Sequence, residues 1–181
     1  LHAYAYPQHE RRAREILTKL APDLWITLSS DVSPEIREYE RFSTTVANAY
    51  VQPLMASYLS RLAERMQALD MRAPLYLVTS GGGLTTLDTA RRFPVRLVES
   101  GPAGGAILAG RIAMECGYRE VLSFDMGGTT AKICFLTDGV PEHSRRFEIA
   151  RVYRNLKGSG LPVRIPVTEM VEIGAGGGSI A

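Results

Sequence analysis

Between Asp125 and Lys132 the chain reads Asp-Met-Gly-Gly-Thr-Thr-Ala-Lys, which sets an acid, two adjacent glycines, two hydroxyls and a cation close together. Apolar residues lead in from Val121 to Phe124 and lead out from Ile133 to Leu136, so the stretch reads as strand, short loop, strand. Gly127 and Gly128 can take backbone angles closed to other residues and carry no Cβ to block a close ligand. Successive N–H groups in such a turn form an anion-binding concavity. Thr129 and Thr130 add hydroxyl donors, and Lys132 adds a positive charge suited to a phosphate. Asp125, at the strand's end, can hold Mg²⁺ directly or through water, because that ion prefers oxygen ligands and keeps several waters. The same residues also fit a plain hairpin closed by a glycine turn. No G-x-x-x-x-G-K-[ST] string is present and no helix pattern follows the glycines, so neither a Walker A loop nor a dinucleotide fingerprint is indicated.

Other glycine-rich stretches follow apolar runs. Leu75 to Val78 and Val95 to Val98 read as strands, ending in Ser80-Gly-Gly-Gly83 and in Glu99-Ser-Gly-Pro-Ala-Gly-Gly105. A small-residue helix from Ala106 to Met114 comes next, ended by Gly117. Near the C-terminus, Glu172 leads into glycines at 174, 176, 177 and 178 and then Ser179, a pattern that fits close approach to a ligand or a linker. Ligands of α/β sheets bind outside the carboxyl ends of strands, so several such loops together favour a phosphate or carboxylate ligand.

The remaining elements must position these loops. Leu1 to Tyr6 reads as the tail of a strand, and His9 to Leu20 as a helix with Ala13, Ile16, Leu17 and Leu20 on one face. His9-Glu10 lacks the second histidine of H-E-x-x-H, so a zinc helix is not supported. Leu24 to Leu28 reads as a buried strand, with Ser29-Ser30-Asp31 capping the next helix and Ser33-Pro34-Glu35 starting a helical turn. A long helix is predicted from Ser43 to Leu69. Val46, Tyr50, Leu54, Tyr58, Leu62, Met66 and Leu69 form its apolar stripe, read as core, and Pro53 is expected to kink it. Leu84 to Arg91 reads as a short helix, Asp138-Gly139 as a turn, Arg145 to Tyr153 as a third antiparallel strand, Lys157 to Gly160 as a mobile loop, and Val163 to Val167 as an edge strand.

The 181 residues suit one domain or parts of two, and 45% hydrophobic with 22% charged residues is an ordinary globular mix. A net charge of +2 gives no argument for nucleic acid or an acidic membrane. Cys116 and Cys134 are too few for a disulfide scaffold and fit a reduced, cytoplasmic setting. No run approaches a membrane span, and the N-terminus lacks a signal-peptide layout. Both ends look cut from a longer sequence.

Six strings in this order carry a resemblance: Ser29-Ser-Asp-Val-Ser-Pro-Glu35; Glu38-Tyr-Glu-Arg41 with Ser43-Thr-Thr45 and Asn48-Ala-Tyr50; Ser80-Gly-Gly-Gly83; Ser100-Gly-Pro-Ala-Gly-Gly105; Phe124-Asp-Met-Gly-Gly-Thr-Thr130; and Gly174-Ala-Gly-Gly-Gly-Ser179. The set resembles the hydantoinase A/oxoprolinase family, which includes N-methylhydantoinase, 5-oxoprolinase and the acetone carboxylase beta subunit. The resemblance implies an α/β, actin-like ATPase (ribonuclease H-like) fold. Residues 1–117 would be the end of the first domain with its crossover helices, and 118–181 the β-rich opening of the second. It implies ATP and Mg²⁺, phosphorylation of a cyclic-amide or ketone oxygen, and a hydantoinase B-type partner subunit or domain. By position, Asp125 looks like a catalytic and metal-holding acid. Gly127, Gly128, Thr129, Thr130 and Lys132 look like the second phosphate loop, with Gly174, Gly176, Gly177, Gly178 and Ser179 as a nucleotide-side loop. Gly104 and Gly105 lie near the interdomain crossing. Two departures stand out. Many relatives carry a second acid where Lys132 stands, and the family's first phosphate loop, a D-x-G-G-T string near the N-terminus similar to the one at Asp125, is missing from these residues. The resemblance therefore implies the middle of an ATP-dependent cyclic amide hydrolase. The alternatives are a nucleotide-binding fragment without activity, an acetone carboxylase beta-type subunit, and a kinase of the same fold.

Overall fold

The computed structural model describes residues 2–153 and 156–179. In chain order the elements are α1 (Gln8–Leu20), α2 (Ser29–Val32), α3 (Glu38–Ala68), β1 (Tyr76–Val78), β2 (Leu84–Thr86), α4 (Leu87–Arg92), a 3-10 turn (Pro94–Leu97), α5 (Ser100–Glu115), β3 (Glu120–Met126), β4 (Ala131–Thr137), β5 (Val140–Pro141), β6 (His143–Ser144), β7 (Phe147–Ile149), β8 (Leu161–Val163), β9 (Val167–Thr168) and β10 (Val171–Ile173). They form two compact units that interleave along the chain. One holds residues 1–77, 85–96 and 146–165, and the other holds 78–84, 97–145 and 166–181.

In the first unit α3 packs against α2, α4 and β8, and β8 pairs antiparallel with β7 (Phe147↔Val163, Ile149↔Leu161). The buried face of α3 is mostly polar: Arg41, Ser43, Thr44, Asn48 and Gln52, followed by Ala56 and Leu59. The apolar stripe predicted as core is instead largely on the wet side, with Tyr50 86% and Leu54 71% exposed and Val46, Tyr58 and Leu69 also exposed. The inversion has a physical reason, because each buried polar group has a partner. Asn48 Nδ2–H donates to the Arg92 carbonyl (3.0 Å) and Asn48 Oδ1 accepts from the Val95 N–H (3.3 Å). Thr44 Oγ1 accepts from the Arg164 N–H (2.8 Å), and Ser43 donates to the Pro162 carbonyl. Satisfied polar groups can be buried without the penalty that would otherwise drive them to water.

Several further expectations are corrected in this unit. Residues 2–6 form a turn closed by N–H bonds from Ala5 and Tyr6 to the His2 carbonyl, not a strand; Leu1 lies outside the described residues. Leu24 to Leu28 pairs with no strand among the described residues, and Leu24 and Trp25 are exposed. Its strand-forming composition is overridden because no ladder partner is beside it. Ser33-Pro34-Glu35 is not helical, because α2 has just ended: the Ser33 N–H bonds back to Ser29, and Pro34 disfavours helical angles at Ser33. Val95 falls in the 3-10 turn, its N–H taken by Asn48 and so lost to a ladder. The helix expected from Leu84 begins at Leu87, where Thr86 Oγ1 caps it by accepting from the Thr89 N–H (3.3 Å). The strand expected from Arg145 to Tyr153 is only β7, ended by Ala150 at φ 52°. The basic turn after it is tied down, with the Gly158 N–H on Glu148 Oε1 (2.7 Å). In place of one edge strand from Val163 to Val167 there are β8 and β9, and Val163, Ile165 and Val167 are all buried.

The second unit is built on the predicted hairpin. β3 and β4 pair antiparallel from Glu120↔Thr137 to Met126↔Ala131, and β10 joins the other edge of β4. Asp138 and Gly139 both have positive φ (51° and 77°) and reverse β4 into β5, as a two-residue hairpin turn requires. Arg119 clamps the Asp138 carboxylate through Nε (2.5 Å) and Nη2 (3.1 Å). The pleat divides the sheet. One face carries Cys134 and Leu136, with Val121 and Met170, onto Ala106 of α5. The other carries Leu122, Phe124, Met126, Phe135, Val171 and Ile173, all exposed. α5 comes so close to the turn after β4 that a Cβ on Gly110 would strike the Gly139 carbonyl, which explains the glycine. The helix starts at Ser100, so Ser100 to Gly105 are its first turns and not the loop read from sequence.

Candidate functional site

Asp125 is exposed near the end of β3, and Gly127 to Thr129 form an exposed bend before β4. The bend is closed by one internal bond, from the Gly127 N–H to the Thr130 carbonyl (2.9 Å). No side chain covers it from the Gly128 side, since a Cβ there would have nothing within 4 Å among the described residues. Two of its carbonyls are used. Gly127 accepts from the Gly177 N–H (2.9 Å), and Gly128 accepts from the Gly178 N–H (3.1 Å). The N–H groups of Gly128 and Thr129 make no hydrogen bond among the described residues.

The second glycine loop is therefore stacked on the first, backbone to backbone. β10 delivers it there by pairing with β4 (Val171↔Ile133, Ile173↔Ala131). Gly176 is buried, and a Cβ on it would sit 2.5 Å from the Thr129 nitrogen and 2.6 Å from the Gly128 carbonyl oxygen. No side chain fits there, which is a physical reason for glycine at this position. The turn closes on itself, with the Gly176 N–H on Ser179 Oγ (3.1 Å) and the Ser179 N–H on the Gly176 carbonyl (2.8 Å). The Gly127–Thr130 and Gly174–Ser179 loops predicted as separate contributors are thus one structure.

Lys132 lies in register with Asp125 on β3 and with Glu172 on β10. Residues directly opposite in a ladder share a face, so acid, lysine and acid form a row across three strands. The Lys132 ammonium forms an ion pair with Glu99, the residue before α5. That pair ties the start of α5 to the row. Gly104 and Gly105 lie inside α5; a Cβ added to Gly104 would sit 3.7 Å from Val78, and one added to Gly105 would meet nothing within 4 Å among the described residues. Their amides belong to helix geometry, so the pair does not form a loop beside the bend. Sequence reading missed Glu99 and Glu172. The apolar residues flanking Glu172, Val171 and Ile173, were the available signal for a strand there; nothing in the local sequence pointed to Glu99. A shallow groove lined by Glu120, Leu122, Phe135 and Thr137 lies at the opposite end of the hairpin, away from these groups.

Among the described residues, no three of His, Cys, Asp or Glu gather closely enough to hold a metal ion on their own. A Mg²⁺ here would therefore take Asp125 as a protein ligand and fill its other positions with water and ligand oxygens, which is how this ion is usually held.

The profile of the hydantoinase/oxoprolinase family matches residues 41–181. The chain belongs to the hydantoinase/oxoprolinase family. It is 39% identical to an uncharacterized protein of Methanocaldococcus jannaschii, over all of this chain and 27% of that protein. It is 34% identical to caprolactamase subunit alpha of Pseudomonas jessenii, over 97% of this chain and 24% of the subunit. The crystal structure of the ATP-dependent caprolactamase from Pseudomonas jessenii superposes with a TM-score of 0.77 at 31% identity, covering 99% of this chain and 25% of that one. Nucleotide-free acetone carboxylase superposes with a TM-score of 0.79 at 24% identity over 97% of this chain and 24% of that one, which shows a shared mixed α/β fold. The chain spans about a quarter of the length of these relatives. No helix among the described residues is long and apolar enough to cross a membrane.

Proposed function

We propose that this chain forms the polyphosphate-holding part of an ATP-dependent enzyme of the hydantoinase/oxoprolinase family, acting in the cytoplasm on a cyclic amide such as a hydantoin or 5-oxoproline. The observation that carries the reading is the stacked pair of glycine loops, in which the Gly128 and Thr129 amides make no hydrogen bond among the described residues, beside Asp125 and Lys132. Within this reading the fold is the actin-like ATPase fold, with the domain division after residue 117, and a hydantoinase B-type subunit or domain completes the enzyme. The relative named as caprolactamase subunit alpha is, by that name, one part of an assembly.

Bound ATP would supply a γ-phosphoryl group that turns the unreactive amide oxygen into a leaving group. The chain's own residues have positioning and charge balance to provide. Gly128 and Thr129 offer N–H donors fixed by the loop behind them. The Thr129 and Thr130 hydroxyls add donors, Lys132 offsets negative charge, and Ser179 closes the supporting turn. Asp125 orients a water or the substrate, the work of a positioned carboxylate, and would be the protein's ligand to a Mg²⁺ that offsets phosphate charge.

In the full-length protein, Asp125→Asn should lower substrate-dependent ADP release by about a hundredfold or more. Unchanged turnover would refute the role given to Asp125. The quarter-length span favours a second reading for the isolated 181 residues: nucleotide binding without turnover. Calorimetry with Mg-ATP on the isolated chain, run beside an ADP-release assay, separates the two.

A further inference from the structure

Lys132 has more carboxylates around it than one cation needs. Asp125 and Glu172 face it from the neighbouring strands, and Glu99 holds it in an ion pair. Glu99 is unusual in its own right. Its φ of 60° and ψ of 18° are left-handed, a region that a residue with a side chain occupies only under strain. Its carboxylate does not cap the helix it precedes. It reaches Lys132 instead, and the two side chains are only 28% and 17% exposed. A strained acid is therefore spent on the one lysine next to the glycine bend.

We infer that Glu99 is an internal competitor for Lys132, and that a ligand at the bend must displace the Glu99 carboxylate to use the Lys132 ammonium. This rests on the polyphosphate reading given above. The consequence is selectivity by charge. A single carboxylate brings no more charge than Glu99 already supplies, and a monophosphate, at about −1.5 to −2, has most of its charge taken up by the loop amides, so the exchange gains little. A di- or triphosphate contacts the loop amides and still has charge left for Lys132, so the exchange is favourable. The apparent affinity is the intrinsic one multiplied by the fraction of molecules in which the pair is open. The site thus takes nucleoside triphosphates or inorganic tripolyphosphate, and rejects monophosphates that the amides alone would accept.

The test is calorimetry of the full-length protein with inorganic tripolyphosphate, ATP and AMP, each with Mg²⁺. Glu99→Gln keeps the shape and removes the charge. Glu99→Gly removes the side chain and suits the left-handed backbone, so it keeps the test alive if the first variant folds poorly. Both variants should bind tripolyphosphate about fivefold more tightly and lose part of the preference over AMP, the scale expected for freeing one partly exposed ion pair. The gain should vanish when Lys132→Ala is added. If neither Glu99 variant binds more tightly, or the gain survives Lys132→Ala, the inference is overturned while the polyphosphate reading stands. If no form of the protein binds tripolyphosphate or ATP, the polyphosphate reading falls, and this inference falls with it.

Discussion

Both units hold clusters of polar groups, but they use them in opposite ways. In the first unit the donors and acceptors are spent on one another. Ser29 Oγ–H donates to Glu10 Oε1 (2.5 Å), the Ser30 N–H donates to Glu10 Oε2 (2.9 Å), and fully buried Arg41 donates from Nε to Ser29 Oγ (3.1 Å) and from Nη1 to the Glu35 carbonyl (3.0 Å). In the second unit the glycine bend uses its carbonyls to fix its shape and leaves the amides of Gly128 and Thr129 without hydrogen-bond partners among the described residues. The lesson is that a conspicuous polar motif is not by itself a ligand site. What separates scaffold from site is whether the donors are already occupied.

That contrast can be broken, beginning with the largest effect. Arg41→Met should cost about 3–5 kcal/mol of stability in urea denaturation, because it strips a buried charge from a connected network. A loss under about 1 kcal/mol would show that the network is not scaffold. Gly176→Ala comes next, at about 1–3 kcal/mol, since its methyl group meets backbone atoms that have little room to move. Amide hydrogen exchange should speed up in residues 127–130 and stay unchanged around Asn48; protection that survives in the bend would mean the loops are not mutually supported.

A smaller effect is expected from Glu10. Burial alone pushes its carboxyl up, but the hydrogen bonds from Ser29 and Ser30 and the charge of Arg41 outweigh it, and the folded value lies below the ordinary 4.5. A group lowered on folding adds stability above its unfolded value and loses it as pH falls through the folded value. Wild type should therefore weaken below about pH 4.5 relative to Glu10→Gln. Parallel stability curves for the two proteins from about pH 6 down to about pH 3 would remove Glu10 from the network. The smallest effect is expected on the exposed side of α3. Tyr50→Ser should shift the stability of the 181-residue chain by no more than about 0.5 kcal/mol, and a cost above about 2 kcal/mol would restore the stripe to the core.

These elements also show how far the sequence could be read. The hairpin, the Asp138-Gly139 turn and both glycine loops were legible because glycine placement and apolar runs are local signals. The stacking of Gly176 on Gly128 was not, because it depends on β10 finding β4. The face of α3 was misread because Thr44 and Asn48 look exposed until their distant partners, Arg164 and Val95, are folded beside them. Glu99 was invisible because its importance comes from backbone geometry and not from composition.

One consequence remains in the open face of the β3-β4-β10 sheet. Leu122, Phe124, Met126, Phe135 and Val171 present oily surface directly to water. Exposed patches of that kind promote clumping. Purified alone, the 181-residue chain should turn cloudy on concentration and clear again in mild detergent, so dilute samples are the ones in which ligand titrations can be interpreted.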